Sequence, residues 1–172
     1  MRTFKMQGLE AINTSLSYDY VIARLSGAPG QVFGRVKLTP PSPDRKSFKG
    51  LNKSLIMIEH PGGGPKMISV KGCEMVREKI EGVELKVFSD FGHHRDTLGG
   101  RSGSPVFALD THELVGLHHS GYEGADEGSN LGGVRQPANS SLVNQAVYIG
   151  YIVQDIRLHF SKLAPEILGS AR

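Results

Sequence analysis

A single cysteine, Cys73, stands among the 172 residues. One thiol excludes an intrachain disulfide and a cysteine-built zinc site, and no metal ligand set is expected. Cys73 itself reads as a small buried apolar residue. Long apolar runs are also missing, and none approaches the length of a membrane span. The N-terminal stretch MRTFKMQGLEAINTS has no extended apolar core, which reads against a signal peptide. Excess charge of either sign is small too: the net charge is only +3, with 22% charged and 38% hydrophobic residues. That balance describes a soluble globular chain, and a nucleic-acid binder would carry a denser basic patch. Neither a nucleic acid nor a membrane is expected as a partner. There are no repeats and no low-complexity tracts. Histidine is absent from the 18 residues that precede Asp19, and the first one in the chain is His60.

What is present is β-like punctuation. The chain carries 22 glycines, and short apolar runs alternate with Gly/Pro turns. YDYVIARL (18–25), QVFGRVKL (31–38), KSLIMIEH (53–60), KMISVKGCEMV (66–76), VELKVFSD (83–90), SPVFAL (104–109) and LVGLHHSG (114–121) have strand length. PGGGP between the third and fourth runs reads as a hairpin turn. The segment at 39–50 is proline-rich and charged and reads as a linker. The stretch 122–141 is a Gly-rich polar loop. The tail changes period: Ile149, Ile152, Val153, Ile156, Phe160 and Leu163 recur at three and four residues. That spacing predicts an amphipathic helix over 149–163, ended by Pro165. Short strands followed by a terminal helix predict a mainly β fold, an antiparallel barrel or sandwich.

The stretch TLGGRSGSPVF (97–107) carries the chemistry. A nucleophilic serine needs a base, an orienting acid and an oxyanion hole. Gly100 and Gly103 around Ser102 let backbone N–H groups turn towards a reacting carbonyl and leave room for substrate. Ser104 precedes Pro105 and starts an apolar run, so it reads as the less exposed of the two serines. An ordinary Gly/Ser turn is the alternative. The stretch is neither a G-x-S-x-G elbow nor a P-loop.

GRSGSPVF followed by LVGLHHSG resembles the trypsin-like serine proteases, and most closely their bacterial V8-like glutamyl endopeptidase branch. IEHPGGGPKMIS is similar to a hairpin of that branch, and NQAVYIGYIVQDI looks like its C-terminal strand and helix. DYVIARL resembles the motif that carries the family's triad aspartate. The resemblance implies a mainly β, chymotrypsin-like fold: the second six-stranded antiparallel β-barrel, the end of the first, and a C-terminal helix. Residues 1–38 are then the remnant of the first barrel, 39–50 the linker, and 51–172 the second barrel with its helix. The implied function is a serine endopeptidase working through an acyl-enzyme, with no cofactor and a peptide or protein as substrate. Ser102 is the implied nucleophile, Asp19 the triad acid, and the N–H groups of Gly100 and Ser102 the oxyanion hole. The strand His118, His119, Ser120, Gly121 would line the specificity pocket and pair with peptide. In the glutamyl branch His118 and Thr97 would meet an acidic side chain, which implies cleavage after Glu or Asp. An imidazole and a hydroxyl can both donate to a carboxylate.

The base is not where the resemblance requires it. The family's order is His, Asp, Ser, and no histidine precedes Asp19. The expectation is a truncated chain of weak or no activity, associating through exposed strands of the first barrel; the other reading is a peptide-binding module without chemistry. His93 and His94 lie close enough in sequence to approach the serine loop, while His112 and His159 read as solvated. His119 should face away from its neighbour His118. Arg101, where trypsin-like zymogens carry an aspartate, reads as an exposed, solvated side chain.

Overall fold

A computed structural model describes residues 3–13, 18–38, 54–77, 89–94, 100–120 and 144–169. The linker proposed at 39–50 and the loop at 122–141 lie outside them. The described chain is mainly β. Strands β1 (Met6–Asn13) and β2 (Tyr20–Leu25) form an antiparallel ribbon, followed by the short helix α1 (Pro29–Phe33). Seven further strands follow: β3 (Leu55–Glu59), β4 (Met67–Ser69), β5 (Glu74–Arg77), β6 (Asp90–His94), β7 (Pro105–Ala108), β8 (Leu114–Ser120) and β9 (Asn144–Tyr148). Helices α2 (Ile149–His159) and α3 (Ala164–Leu168) end the fold.

The seven strands make one antiparallel sheet in the order β4-β3-β7-β8-β9-β6-β5. The sheet curls into a half-barrel, because a bridge from Ser54 to Glu74 and the Leu55 N–H to Cys73 carbonyl bond (2.8 Å) draw β3 and β5 together. Its concave face is the main core: Leu55, Met57, Cys73, Met75, Phe91, Val106, Ala108, Val115, Ala146 and Tyr148. The Phe91 ring packs directly against Gly116, where an added Cβ would sit 2.5 Å from it. Only glycine permits that approach.

The convex face is covered by the helix and the ribbon. Val147, Ile152 and Ile156 pack there with Tyr20. A buried carboxylate pins the ribbon in place. Asp155 of α2 accepts bonds from Tyr20 Oη (2.6 Å) and Asn13 Nδ2 (2.9 Å), and His159 Nδ1 lies 2.8 Å from its other oxygen. Burial raises the Asp155 pKa, but the bonds from Tyr20, Asn13 and His159 outweigh it and hold the group below its ordinary value. Its own burial and the same contact push the Tyr20 hydroxyl well above the usual phenol range. The ribbon's other face is bare: the cross-strand partners Met6 and Leu25, and Ile12 and Val21, are all exposed.

Several expectations change in detail. Residues 31–38 are not a strand: Pro29, with its preset φ, opens α1, and Gly34 at φ +85° ends it. The run 66–76 divides into β4 and β5 at the Lys71–Gly72 turn. Pro165 does not end the terminal helix. The helix stops at His159, and Pro165 lies in the first turn of α3, where its missing N–H is no loss. Among the described residues the sheet has seven strands rather than six. Among the described residues, no helix is long and apolar enough to cross a membrane.

Candidate functional site

Two positive-φ glycines shape the serine turn, Gly100 at φ +89° and Gly103 at φ +87°. Between them the side chains alternate, Arg101 inward and Ser102 outward. One backbone bond closes the turn and two stitch it to β8. Ser104 N–H donates to the Arg101 carbonyl (3.0 Å), Gly103 N–H to the His118 carbonyl (2.7 Å), and His118 N–H to the Ser104 carbonyl (2.9 Å). Ser102 is exposed, and its Oγ donates to the His119 carbonyl at 3.2 Å. That carbonyl is available because the β8–β9 register slips between His118 and Ser120. Ser104 is buried at the start of β7, as its proline neighbour suggested. Gly100 packs backbone to backbone on the turn after β3; a Cβ there would lie 3.3 Å from Gly63 N.

Arg101 is the clearest correction. It is 6% exposed rather than solvated, and its Nε lies 3.3 Å from Oε2 of Glu59, itself 1% exposed. Glu59 also accepts a 2.7 Å bond from Ser69 Oγ. The two glycines fold the turn back on itself and carry the guanidinium under the serine.

The paired histidines of β8 point to opposite faces. His118 turns into the core, where its Nδ1 lies 3.2 Å from His93 Nε2. The rings are nearly perpendicular, 5.2 Å apart. Burial lowers the His118 pKa to about 4, assisted by the charge of His119 and, less, that of Arg101; Glu59 and a backbone bond to Gln145 pull the other way. His118 is therefore a neutral imidazole near pH 7. His119 turns outward, its Nε2 2.9 Å from Asp90 Oδ2 and its Nδ1 3.8 Å from Asp19 Oδ2. Asp90 is buried, whereas the Asp19 side chain is 59% exposed at φ +35°, just before β2.

Ser102 and Asp19 thus meet the same residue from two sides: the His119 carbonyl holds the serine, and the His119 ring faces the acid. Ser120 lies at the end of the same strand. Thr97, Gly121 and the His94 side chain lie outside the described residues. His93 does not approach the serine; it goes to His118. His60 Nδ1 faces the Gly64 carbonyl at 3.0 Å, His112 is exposed in the β7–β8 turn, and His159 is exposed but bound to Asp155. Among the described residues, no histidine ring hydrogen-bonds Ser102. Sequence reasoning overlooked Asp90 and Glu59. Each lies at an end of a strand run, where an acid looks ordinary until its partner is known. No metal-ligating cluster occurs among the described residues.

No protein-family model matches the chain, and no curated protein matches it.

Proposed function

We propose that the chain is the nucleophile-bearing lobe of a serine endopeptidase of the trypsin-like class, with a chymotrypsin-like barrel. Ser102 would attack the peptide carbonyl, the N–H groups of Gly100 and Ser102 would receive the oxyanion, and peptide would lie along β8 by Ser120 and Gly121. The observation that carries this reading is the Ser102 turn itself. It presents an exposed hydroxyl between two positive-φ glycines, at the strand end whose His119 also faces Asp19.

The base is a histidine outside the described contacts. Both His119 ring nitrogens face carboxylates, so it is poorly placed to take the serine proton. Asp19, open to solvent, is the acid that would orient an incoming imidazole. The bare apolar face of the β1–β2 ribbon supports a polypeptide outside these 172 residues as its carrier. Thr97 would select an acidic side chain, with His118 as the wall behind it: His118 is neutral, buried and held by His93 and the Gln145 backbone.

Hydrolysis of a Glu-containing chromogenic peptide tests the reading. The chain alone should run at least about a thousandfold below a complete triad. Added imidazole should raise the rate about tenfold or more, and Ser102→Ala should abolish the gain. A peptide-binding module is the second reading, favoured by the Ser102 hydroxyl being donated to a carbonyl rather than to a base. Peptide binding with no imidazole-dependent, Ser102-dependent turnover would establish that module instead.

A further inference from the structure

A turn flanked by two positive-φ glycines has little order of its own. Fixing each residue costs backbone entropy. Something must select the one conformation that sends Ser102 outward. The backbone bonds of Gly103 and Ser104 hold the C-terminal half, and the Gly100 contact with Gly62 and Gly63 holds the N-terminal edge. Between them, only the Arg101 side chain enters the body of the protein.

Its destination is already fixed. Glu59 is the last residue of β3, and its other oxygen takes the Ser69 hydroxyl from β4. We infer that Glu59 and Arg101 are a positioning pair for Ser102: the buried anion at the end of β3 captures the residue before the serine and thereby sets the turn. The inference rests on the reading of Ser102 as the nucleophile. The pair's burial is the telling feature. A buried ion pair seldom adds stability over apolar side chains of similar volume, but leaving either charge uncompensated is strongly unfavourable. Any turn conformation that withdraws Arg101 leaves Glu59 buried without it. The pair therefore penalises the wrong conformations more than it stabilises the fold. Both partners are internal side chains, so the order of the turn needs no ligand and no cleavage of the chain.

The test replaces both charges with apolar volume, Glu59→Met with Arg101→Met, and reads three quantities. The double variant should melt at or above the parent temperature. Amide exchange at Gly103 and Ser104 should nevertheless rise about tenfold or more, while that at Val147 and Ile156 stays unchanged. Labelling of Ser102 by a fluorophosphonate, with imidazole present, should slow about tenfold through its maximal rate rather than through reagent affinity. Arg101→Lys, which keeps the charge, should recover part of both. Exchange and labelling within twofold of the parent would overturn the inference and leave the pair as packing. If the double variant does not fold, Glu59→Gln decides in its place, since it keeps shape and can still accept from Ser69: unchanged Gly103 exchange there overturns the pair's role. A parent chain that is never labelled at Ser102 defeats the nucleophile reading alone, and the exchange measurements still decide what the pair does.

Discussion

The two faces of the half-barrel treat polar groups in opposite ways. On the concave face, His118 and His93 are held with each other among Phe91, Met75 and Tyr148, and His118 is kept neutral. On the convex face, one residue further along the same strand, His119 lies between Asp90 and Asp19, and Asp155 gathers Tyr20, Asn13 and His159. The alternation of β8 alone separates the two environments. The inner face admits the Glu59 carboxylate only against Arg101 and Ser69, and shapes the wall beneath the serine turn. The outer face uses carboxylates to attach the ribbon that brings Asp19 to the site. In the proposed function, one face would build the pocket and the other would deliver the acid.

Acid should break the inner face first. The folded-state pKa of His118 is lowered from its ordinary value to about 4. The unfolded chain therefore takes up a proton at about pH 6.5 while the folded one does not, and stability falls as pH drops from there to about 4. The full loss is on the order of 3 kcal/mol. Urea titrations at a series of pH values should show it, and His118→Gln should flatten that window. A wild-type stability constant between pH 6.5 and 4 would contradict the neutral, buried histidine.

The outer face should fail differently. Asp155 has its pKa lowered, so its contribution persists above the ordinary carboxylate value and is lost only as pH falls through the lowered one. Asp155→Ala strands the Tyr20 hydroxyl and the Asn13 amide, and should cost about 2–3 kcal/mol. It should also release the ribbon, raising amide exchange in β2 before that in β9. Equal exchange in both strands would show that the ribbon is held by something else.

Two smaller changes sharpen the contrast. Gly116→Ala drives a methyl into Phe91 and the Val147 carbonyl, and should cost about 1–3 kcal/mol of unfolding free energy. Arg24 pairs with Glu10 and Glu166 in the open. Arg24→Ala should leave the melting temperature unchanged within error at physiological salt, because exposed pairs are screened. A clear drop would show the ribbon leaning on that pair rather than on Asp155.

Much of this was legible in the sequence, for reasons that can be located. Pro105 marked Ser104 as the buried serine and left Ser102 outside. The run LVGLHHSG shows its strand by composition and its two faces by the adjacent histidines. Strand β1 was not legible, because register shifts at Met6/Gly8 and Leu9/Ala11 break the period-two pattern on which strand recognition depends. Arg101 looked solvated because its partner Glu59 is remote in sequence and only the fold brings them together. Asp90 was hidden for the same reason. QVFGRVKL misled because its apolar residues alternate like a strand while Pro29 and Gly34 impose a short helix. For Arg101, Glu59 and Asp90 the missing information was long-range pairing of charges, which local pattern does not encode.

The central claim is that Ser102 is a nucleophile held ready for a base it does not contact within the described structure. Its most direct test is mass-spectrometric mapping of fluorophosphonate adducts on the 172-residue chain, with and without imidazole. A single adduct on Ser102 that appears with imidazole and spares Ser104 and Ser120 is the predicted result. Adducts spread over several serines, or none at Ser102 at any imidazole concentration, would contradict it.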